Sequence, residues 1–147
     1  MRKFLPVKDA PADTILPKRG TKNSAGHDFY AAEDIHCPAH GLSKLSFTNV
    51  KAAMCEREYL AVMIRSSLAV KHGLQVAQGV AVIDADYFGN PDNDGNIGIA
   101  IVNNSDKDYV IKKGERFCQG IFQPYSVVDD DDVTEERVGG YGHTGKN

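Results

Sequence analysis

Two carboxylates that stand two residues apart, Asp84 and Asp86, have the types and the spacing that acid–base chemistry requires. They follow the largely apolar stretch 79–83, which predicts a strand. Side chains at positions i and i+2 of a strand point to the same side, so both carboxylates face one ligand. Mutual repulsion between the two carboxylates can help to hold a proton on one of them, which makes the pair a candidate for acid–base chemistry.

A second set, Arg65, Ser66 and Ser67, has the chemistry of a phosphate site. An apolar run precedes it and a short helix is expected after it, so the free backbone N–H groups of a helix start would lie here. A guanidinium makes forked contacts to phosphate, and the Ser66 hydroxyl adds a donor. The same residues also fit a capping serine beside a surface arginine. The sequence leaves both interpretations open.

Asp28 follows a glycine by two positions in the segment 25–31, AGHDFYA. A carboxylate near a flexible glycine suits Mg²⁺, which takes oxygen ligands and usually keeps several waters. Aspartate after glycine is more often a turn residue. Both interpretations stay open on these residues alone.

The C-terminal segment 126–147 combines an acidic run, Asp129–Asp132, with four glycines in its last nine residues. Glycine loses the most backbone entropy on ordering, so this tail is expected to be flexible, and one interpretation is a disordered end. Three side chains favour a lid that folds over a ligand: Arg137, Tyr141 and His143.

Five segments together resemble the five ordered motifs of the dUTPase family: AGHDFYA (25–31), RSSLA (65–69), GVAVIDADY (79–87), GERFCQ (114–119) and RVGGYGHTG (137–145). Each segment is weak alone, but their order and spacing are specific. The resemblance implies a homotrimer with shared active sites that hydrolyses dUTP to dUMP and pyrophosphate with Mg²⁺. It also implies an all-β, distorted jelly-roll barrel with one short helix and a flexible glycine-rich tail.

The resemblance assigns catalytic roles to three residues. Asp84 matches the base that activates the attacking water, Arg65 the residue that binds phosphate, and Gln119 a donor to phosphate or water. Asp28 matches the aspartate that holds the metal through water. Arg116 and Asp86 are expected to be structural.

The resemblance also assigns substrate contacts. Tyr87 matches the residue that packs on deoxyribose and leaves no room for a 2′-hydroxyl, while the backbone around Gly79 reads uracil. Tyr141 matches the residue that stacks on the base, and Arg137 one that clamps the γ-phosphate. The remaining expected contacts are Ser66, Ser67, Gln78, Val82, His143 and Thr144.

Five features depart from the family pattern. Ser67 replaces a glycine, Gln78 an asparagine and His143 a serine, and Arg137 lies one residue nearer the aromatic. The loop Asn90–Asn96 is a longer connection than usual and is expected to lie away from the chemistry.

Strands dominate the predicted elements that position these residues. Strands are expected at 58–65, through Ile97, Ile99 and Ile101, at 109–111 and at 117–125, because apolar residues alternate or run together there between turn signals. A short helix, 68–71, would be capped by Ser66 or Ser67 and end at Gly73. The segment 76–83 is expected to form a hairpin that bends at Gln78 and Gly79.

Composition limits the function classes. A net charge of −3 excludes a large basic face for binding a nucleic-acid polymer, and no apolar run has the length of a membrane helix. Three cysteines without a CxxC pair favour a reducing cytoplasm. His36, Cys37 and His40 lack the second ligand pair of a zinc site and are interpreted as loop residues.

The expected organisation is one barrel domain, 1–125, followed by an acidic linker and lid, 126–147. Two alternatives stay open. One is dCTP deaminase, which shares the superfamily's fold but needs an acid/base that removes the amine. The other is a nucleotide-gated switch that contacts a regulatory protein partner through the loop Asn90–Asn96.

Overall fold

Short strands make up most of the regular secondary structure of the computed structural model, which describes residues 1–141. The strands are β1 (Lys3–Pro6), β2 (Lys18–Arg19), β3 (His27–Tyr30), β4 (Ile35–Cys37), β5 (Gly41–Leu42), β6 (Ser46–Phe47), β7 (Val50–Ala53), β8 (Glu58–Ile64), β9 (Leu74–Val76), β10 (Ala81–Asp84), β11 (Gly98–Ile99), β12 (Ile101–Asn103), β13 (Tyr109–Ile111) and β14 (Arg116–Pro124). One α-helix, α1 (Ser66–His72), and one 3₁₀ turn (Ala85–Tyr87) complete the described elements. The expected all-β fold with one short helix is confirmed.

The largest sheet has the strand order β10-β8-β14-β3-β2, and all its pairs are antiparallel. Smaller sheets, β5-β12-β9, β1-β7, β11-β6 and β13-β4, close around it. The core between them consists of fully buried aliphatic and aromatic side chains, among them Phe29, Leu60, Val62, Ile101 and Phe117. Burial alternates along β10: Ala81 and Ile83 face the core, while Val82 and Asp84 face solvent.

The predicted strands appear close to their expected bounds at 58–64, 109–111 and 116–124. The expected single strand through the three isoleucines is divided at Ala100 into β11 and β12. Its two halves pair with different partners, β6 and β9, so one straight strand could not serve both.

The predicted helix is present and ends at Gly73, which adopts the left-handed conformation with φ 66°. Its expected cap is wrong. Arg65 is the N-cap residue, and no side chain caps the helix, because Ser66 and Ser67 already lie within the first turn. Their hydroxyls are therefore not committed to capping.

The predicted hairpin at 76–83 is half right. The chain bends where expected, since Gly79 has φ 77° and its N–H donates to the carbonyl of Val76 at 2.7 Å. However, β9 pairs with β12 and β10 pairs with β8, so the arms of the bend belong to different sheets. No ladder of backbone hydrogen bonds therefore joins the two arms of the bend.

His36 and Cys37 lie in strand β4 and not in a loop, contrary to expectation. Strand alternation points them in opposite directions, with His36 exposed and Cys37 buried. Burial raises the pKa of the Cys37 thiol to about 11 and that of Cys118 well above its usual value. Both thiols are therefore packing groups that stay protonated. Within residues 1–141, no helix has the length and hydropathy needed to cross a membrane.

Candidate active site

A pocket of about 340 Å³ opens where three strands of the large sheet meet the start of α1. Antiparallel register places Gln119 of β14 opposite Asp28 of β3 on one side and Met63 of β8 on the other. Arg65 follows β8 directly, so the same end of the sheet carries all these groups. The pocket is lined by Gly20, Thr21, Ser24, Gly26, Asp28, Arg65, Ser66, Arg116 and Gln119. We call this set the anion pocket.

Asp28 organises the two arginines of the anion pocket. One carboxylate oxygen lies 3.2 Å from Nε of Arg65, and the other accepts a hydrogen bond from Nη1 of Arg116 at 3.2 Å. The Asp28 side chain is only 12% exposed, whereas that of Arg116 is 47% exposed. Two guanidinium groups against one carboxylate leave a net positive charge, which suits an anionic ligand.

Gly26 makes room for Gln119. A Cβ at Gly26 would lie 2.5 Å from Oε1 of Gln119 and 3.1 Å from its Cβ, so any larger residue would displace the amide. Glycine is thus required at position 26 for packing, independently of any need for backbone flexibility. It lets the Gln119 side chain lie beside Asp28 in the anion pocket.

A second cluster, which we call the tail cluster, joins Asp84, Asp86 and Tyr87 to the C-terminal segment. Arg137 binds both carboxylates, with Nη2 2.8 Å from Asp84 and Nε 2.8 Å from Asp86. Its guanidinium carbon lies 5.7 Å from the centre of the Tyr87 ring. Asp84 and Asp86 are more than half exposed, but the Arg137 side chain is only 14% exposed. The two carboxylates therefore do face one ligand, which here is the tail's own arginine. The expected strand geometry is wrong, however, because β10 ends at Asp84 and Asp86 lies in the 3₁₀ turn.

Tyr141 completes the tail cluster. Its hydroxyl donates to the carbonyl of Gly98 at 2.6 Å and accepts from the Gly98 N–H at 3.1 Å. The Tyr141 and Tyr87 rings meet edge to face, with centroids 5.9 Å apart. Burial of the hydroxyl raises the pKa of Tyr141 to about 12. The aromatic residue of the tail is thus ordered against the body of its own chain.

The anion pocket and the tail cluster lie apart in one chain. Asp84 is opposite Tyr59 in the β10–β8 pair, and Arg65 is six residues further along β8. At about 3.3 Å per residue, roughly 20 Å separate the backbones of Asp84 and Arg65. This separation is much longer than the distance between neighbouring phosphates of a nucleotide.

Comparisons with known proteins identify the family of this chain. The family model described as dUTPase matches residues 12–145. This chain belongs to the dUTPase family. It is 46% identical over 132 residues to the deoxyuridine 5′-triphosphate nucleotidohydrolase of Lactococcus lactis, covering 88% of this chain and 87% of that protein.

Solved dUTPase structures share the fold of this dUTPase-family chain. The dUTPase of Streptococcus mutans is 39% identical with a TM-score of 0.78, covering 86% of this chain and 98% of that one. The dUTPase of phage phi11 of S. aureus is 20% identical with a TM-score of 0.73, covering 92% and 97%, which shows the fold alone.

The structure therefore divides the dUTPase-family residues named from the sequence. The anion pocket holds Asp28, Arg65, Ser66 and Gln119, and the tail cluster holds Asp84, Tyr87, Arg137 and Tyr141. The bend carries Gln78 and Gly79, and β10 carries Val82; all three are exposed. Ser67 lies next to the anion pocket in the first turn of α1. His143 and Thr144 lie outside the described residues.

The loop Asn90–Asn96 does not lie away from the chemistry, and that expectation is wrong. Nδ2 of Asn93 donates to the Tyr87 hydroxyl at 2.7 Å, and the Gly140 N–H donates to Asp92 at 2.7 Å. The reason is the positive φ of Gly89, Asp94 and Gly95, which turns the loop back over Tyr87. Sequence reasoning missed Asp92 and Asn93, although a run of asparagine and aspartate directly after Tyr87 was a signal of a self-bonded turn.

The same finding bears on the regulatory partner. Asn90, Asn93 and Asp94 use their polar groups in contacts within the chain. The regulatory protein partner stays a prediction.

Proposed function

We propose that this dUTPase-family enzyme hydrolyses dUTP to dUMP and pyrophosphate in active sites shared between the copies of a homotrimer. Hydrolysis of dUTP accords with the family model and with relatives that carry this activity in their names. The main support for a shared site is the distance between Asp84 and the anion pocket. A second copy can supply through symmetry what one chain keeps apart.

The direction of the bend supports this proposal. Ala81 pairs with Val62, so the bend at 77–80 lies at the same end of β8 as Arg65, whereas Asp84 lies at the other end. A nucleotide with its base on the bend and its α-phosphate at Asp84 therefore points its phosphates away from the Arg65 of its own chain. An adjacent copy would bring its anion pocket to those phosphates.

In the proposed reaction, Asp84 accepts a proton from a water molecule and directs its oxygen at the α-phosphorus. The bond from the α-phosphorus to the bridging oxygen breaks in line, and pyrophosphate leaves with that oxygen. Arg65, with the helix-start serines Ser66 and Ser67, holds the phosphates, and Gln119 donates to a phosphate oxygen or to the water. Arg116 keeps Asp28 and Arg65 in place through the ion pair described above.

Recognition of base and sugar rests on the bend and on Tyr87. The backbone at Gln78 and Gly79 is exposed and free of a cross-strand ladder, and Val82 lies in the edge strand β10, which pairs on one side only, with β8. This part of the chain can therefore offer the hydrogen-bonding pattern of adenine to uracil. Cytosine has its donor and acceptor exchanged and would leave buried groups unpaired. The ring of Tyr87 would pack on deoxyribose.

The residues present fit Mg²⁺ that arrives with the triphosphate. Residues 1–141 contain no cluster of three or more histidine, cysteine, aspartate or glutamate side chains, so the described chain offers no closed metal cage. Asp28 alone can accept hydrogen bonds from waters of the ion, which suits a cation that keeps several waters and binds mainly phosphate. Bound Mg²⁺ would neutralise charge that builds on the phosphates. The phi11 phage dUTPase coordinates a structural Mg(II) ion.

The segment 126–147 is proposed to be a lid that closes after the acidic linker. Arg137 would move from Asp84 to the γ-phosphate, and Tyr141 would stack on uracil, together with contacts from His143 and Thr144. In the described structure Arg137 neutralises the carboxylates, so it needs a competing anion before it leaves them. The triphosphate is that anion.

The product places the enzyme in nucleotide metabolism. Hydrolysis lowers dUTP and supplies dUMP for thymidylate synthesis. The proposal includes a cytoplasmic location, which the three unpaired cysteines favour.

Two measurements test the proposed function. Pyrophosphate release from dUTP, dTTP, dCTP and UTP should be fast for dUTP alone; ammonia release from dCTP would instead indicate the deaminase. For the shared site, Asp84→Asn and Arg65→Ala chains, each inactive, are refolded together. Chance mixing in trimers should restore roughly a quarter of the parent activity if neighbouring copies complete one site. No recovery, despite mixed trimers by native mass spectrometry, would show that one chain holds the whole site.

A further inference from the structure

The hydroxyl of Tyr87 is fixed by the loop that follows it. It donates to the carbonyl of Asn96 at 3.0 Å and accepts from Nδ2 of Asn93 at 2.7 Å. The Tyr87 side chain is buried, with 7% exposure. The ring therefore has its polar end held at two points, both within the loop Asn90–Asn96.

The amide of Asn93 is itself held in one orientation. Its Oδ1 accepts from Nδ2 of Asn90 at 2.9 Å and from the Gly95 N–H at 3.1 Å. Two donors on the oxygen direct the nitrogen towards the tyrosine, since a flipped amide would place donor against donor. Asn93 is thus a rigid donor, and its direction is set by the loop.

The loop Asn90–Asn96 is anchored on both sides of Asn93, by Asn90 and by Asp94. Asn90, only 5% exposed, donates from Nδ2 to the Tyr87 carbonyl at 2.8 Å. Asp94 accepts from Nζ of Lys51 at 2.7 Å and from the Lys8 N–H at 2.8 Å, which ties the loop to β7 and to the N-terminal segment. The position of Asn93 relative to the barrel is therefore determined by contacts outside the substrate site.

We infer that Asn93 is a positioning residue for sugar discrimination: it holds the Tyr87 ring against the place of the ribose 2′-carbon and so helps to exclude UTP. The inference rests on the proposed function, in which Tyr87 packs on deoxyribose. Without the Asn93 bond the phenol keeps only its bond to the Asn96 carbonyl, and the ring can tilt about that point. A tilt opens space for a 2′-hydroxyl, which benefits UTP and not dUTP.

The experiment measures kcat/KM for dUTP and for UTP in four chains: the parent, Asn93→Ala, Tyr87→Phe and the double variant. The inhibition constant of UTP against dUTP hydrolysis is measured in the same chains. The ratio of dUTP to UTP should fall about three- to tenfold in Asn93→Ala, the effect of one net hydrogen bond. Tyr87→Phe removes this bond and also the bond to the Asn96 carbonyl, so it should lower the ratio by at least the same factor. The ratio in the double variant should fall little below that of Tyr87→Phe, because the Asn93 bond is already absent there.

Asn104→Ala is the matched control, since Asn104 is an exposed loop asparagine that donates only to the Gly73 carbonyl. It should leave the ratio at the parent value. An equal loss for both substrates in Asn93→Ala would mean that the residue is merely structural and would overturn the inference. Fully additive losses in the double variant would also overturn it. A parent chain that leaves dUTP intact would instead refute the proposed function, so the two failures are distinguishable.

Discussion

The anion pocket and the tail cluster are built by different means. Neighbouring strands fix the anion pocket, because the register of β3, β14 and β8 sets Asp28, Gln119 and Arg65 at one end of the sheet. Side-chain contacts from an irregular segment fix the tail cluster, where Arg137 and Tyr141 reach back over more than forty residues. The anion pocket can bind an anion without changing shape. In the proposed function, the tail cluster holds groups that exchange partners during the reaction.

The largest expected effect tests the tail cluster's carboxylate. Asp84→Asn should reduce kcat for dUTP by about 10²- to 10⁴-fold, because the amide cannot accept a proton from water. Binding of a non-hydrolysable dUTP analogue, measured by calorimetry, should persist. Asp106→Asn, the same change at an exposed aspartate in the turn before β13, is the control. Turnover of Asp84→Asn near the parent rate would reject Asp84 as the base.

Removing the tail should lower activity less than replacing Asp84 does. A chain that ends at Asp132 lacks Arg137 and Tyr141 but keeps all strands, so it should retain its assembly state and melting temperature. Its kcat/KM for dUTP should fall about tenfold to a hundredfold with the loss of stacking and of one charged contact. Light scattering and pyrophosphate release are the measurements. A fully active truncated chain would exclude a lid.

A pair of glycine substitutions tests the rigid region. In Gly26→Ala the new methyl group would lie 2.5 Å from Oε1 of Gln119, so the amide must move. Its kcat/KM should fall about tenfold, the effect of one misplaced charged-group hydrogen bond. Gly20→Ala is the control, because its methyl group would meet only Asp28 at 3.9 Å. Equal activities would show that the position of Gln119 is unimportant.

The smallest effect concerns pH and the docked tail. Since burial raises the pKa of Tyr141 to about 12, above its unfolded value near 10, the folded chain binds the phenolic proton more tightly. Docking of the tail is therefore fully stable below pH 10 and weakens as pH rises from 10 to 12. Trypsin cleavage after Arg137 should accelerate in that window relative to Tyr141→Phe. A parallel pH dependence in both chains would refute the docked hydroxyl.

Much of this enzyme could be predicted from its residues. The helix ended at Gly73 as expected, because a left-handed C-terminal cap is a local preference of glycine. The strands at 58–64 and 109–111 followed from apolar runs of strand length. Local rules failed where two elements compete for one segment, as at Ala100, where β11 and β12 pair with different sheets.

The sequence by itself determined the family, the all-β class and the residue types that phosphate chemistry needs, because motif order, apolar spacing and charge are properties of the chain. Only the tertiary structure decided which of those residues lie together. The register of β10 against β8 separates Asp84 from Arg65. Long-range hydrogen bonds to Asp92 and Asn93 bring the loop Asn90–Asn96 onto Tyr87 and the tail. Such contacts depend on how distant strands pair, and no local pattern of residues specifies that pairing.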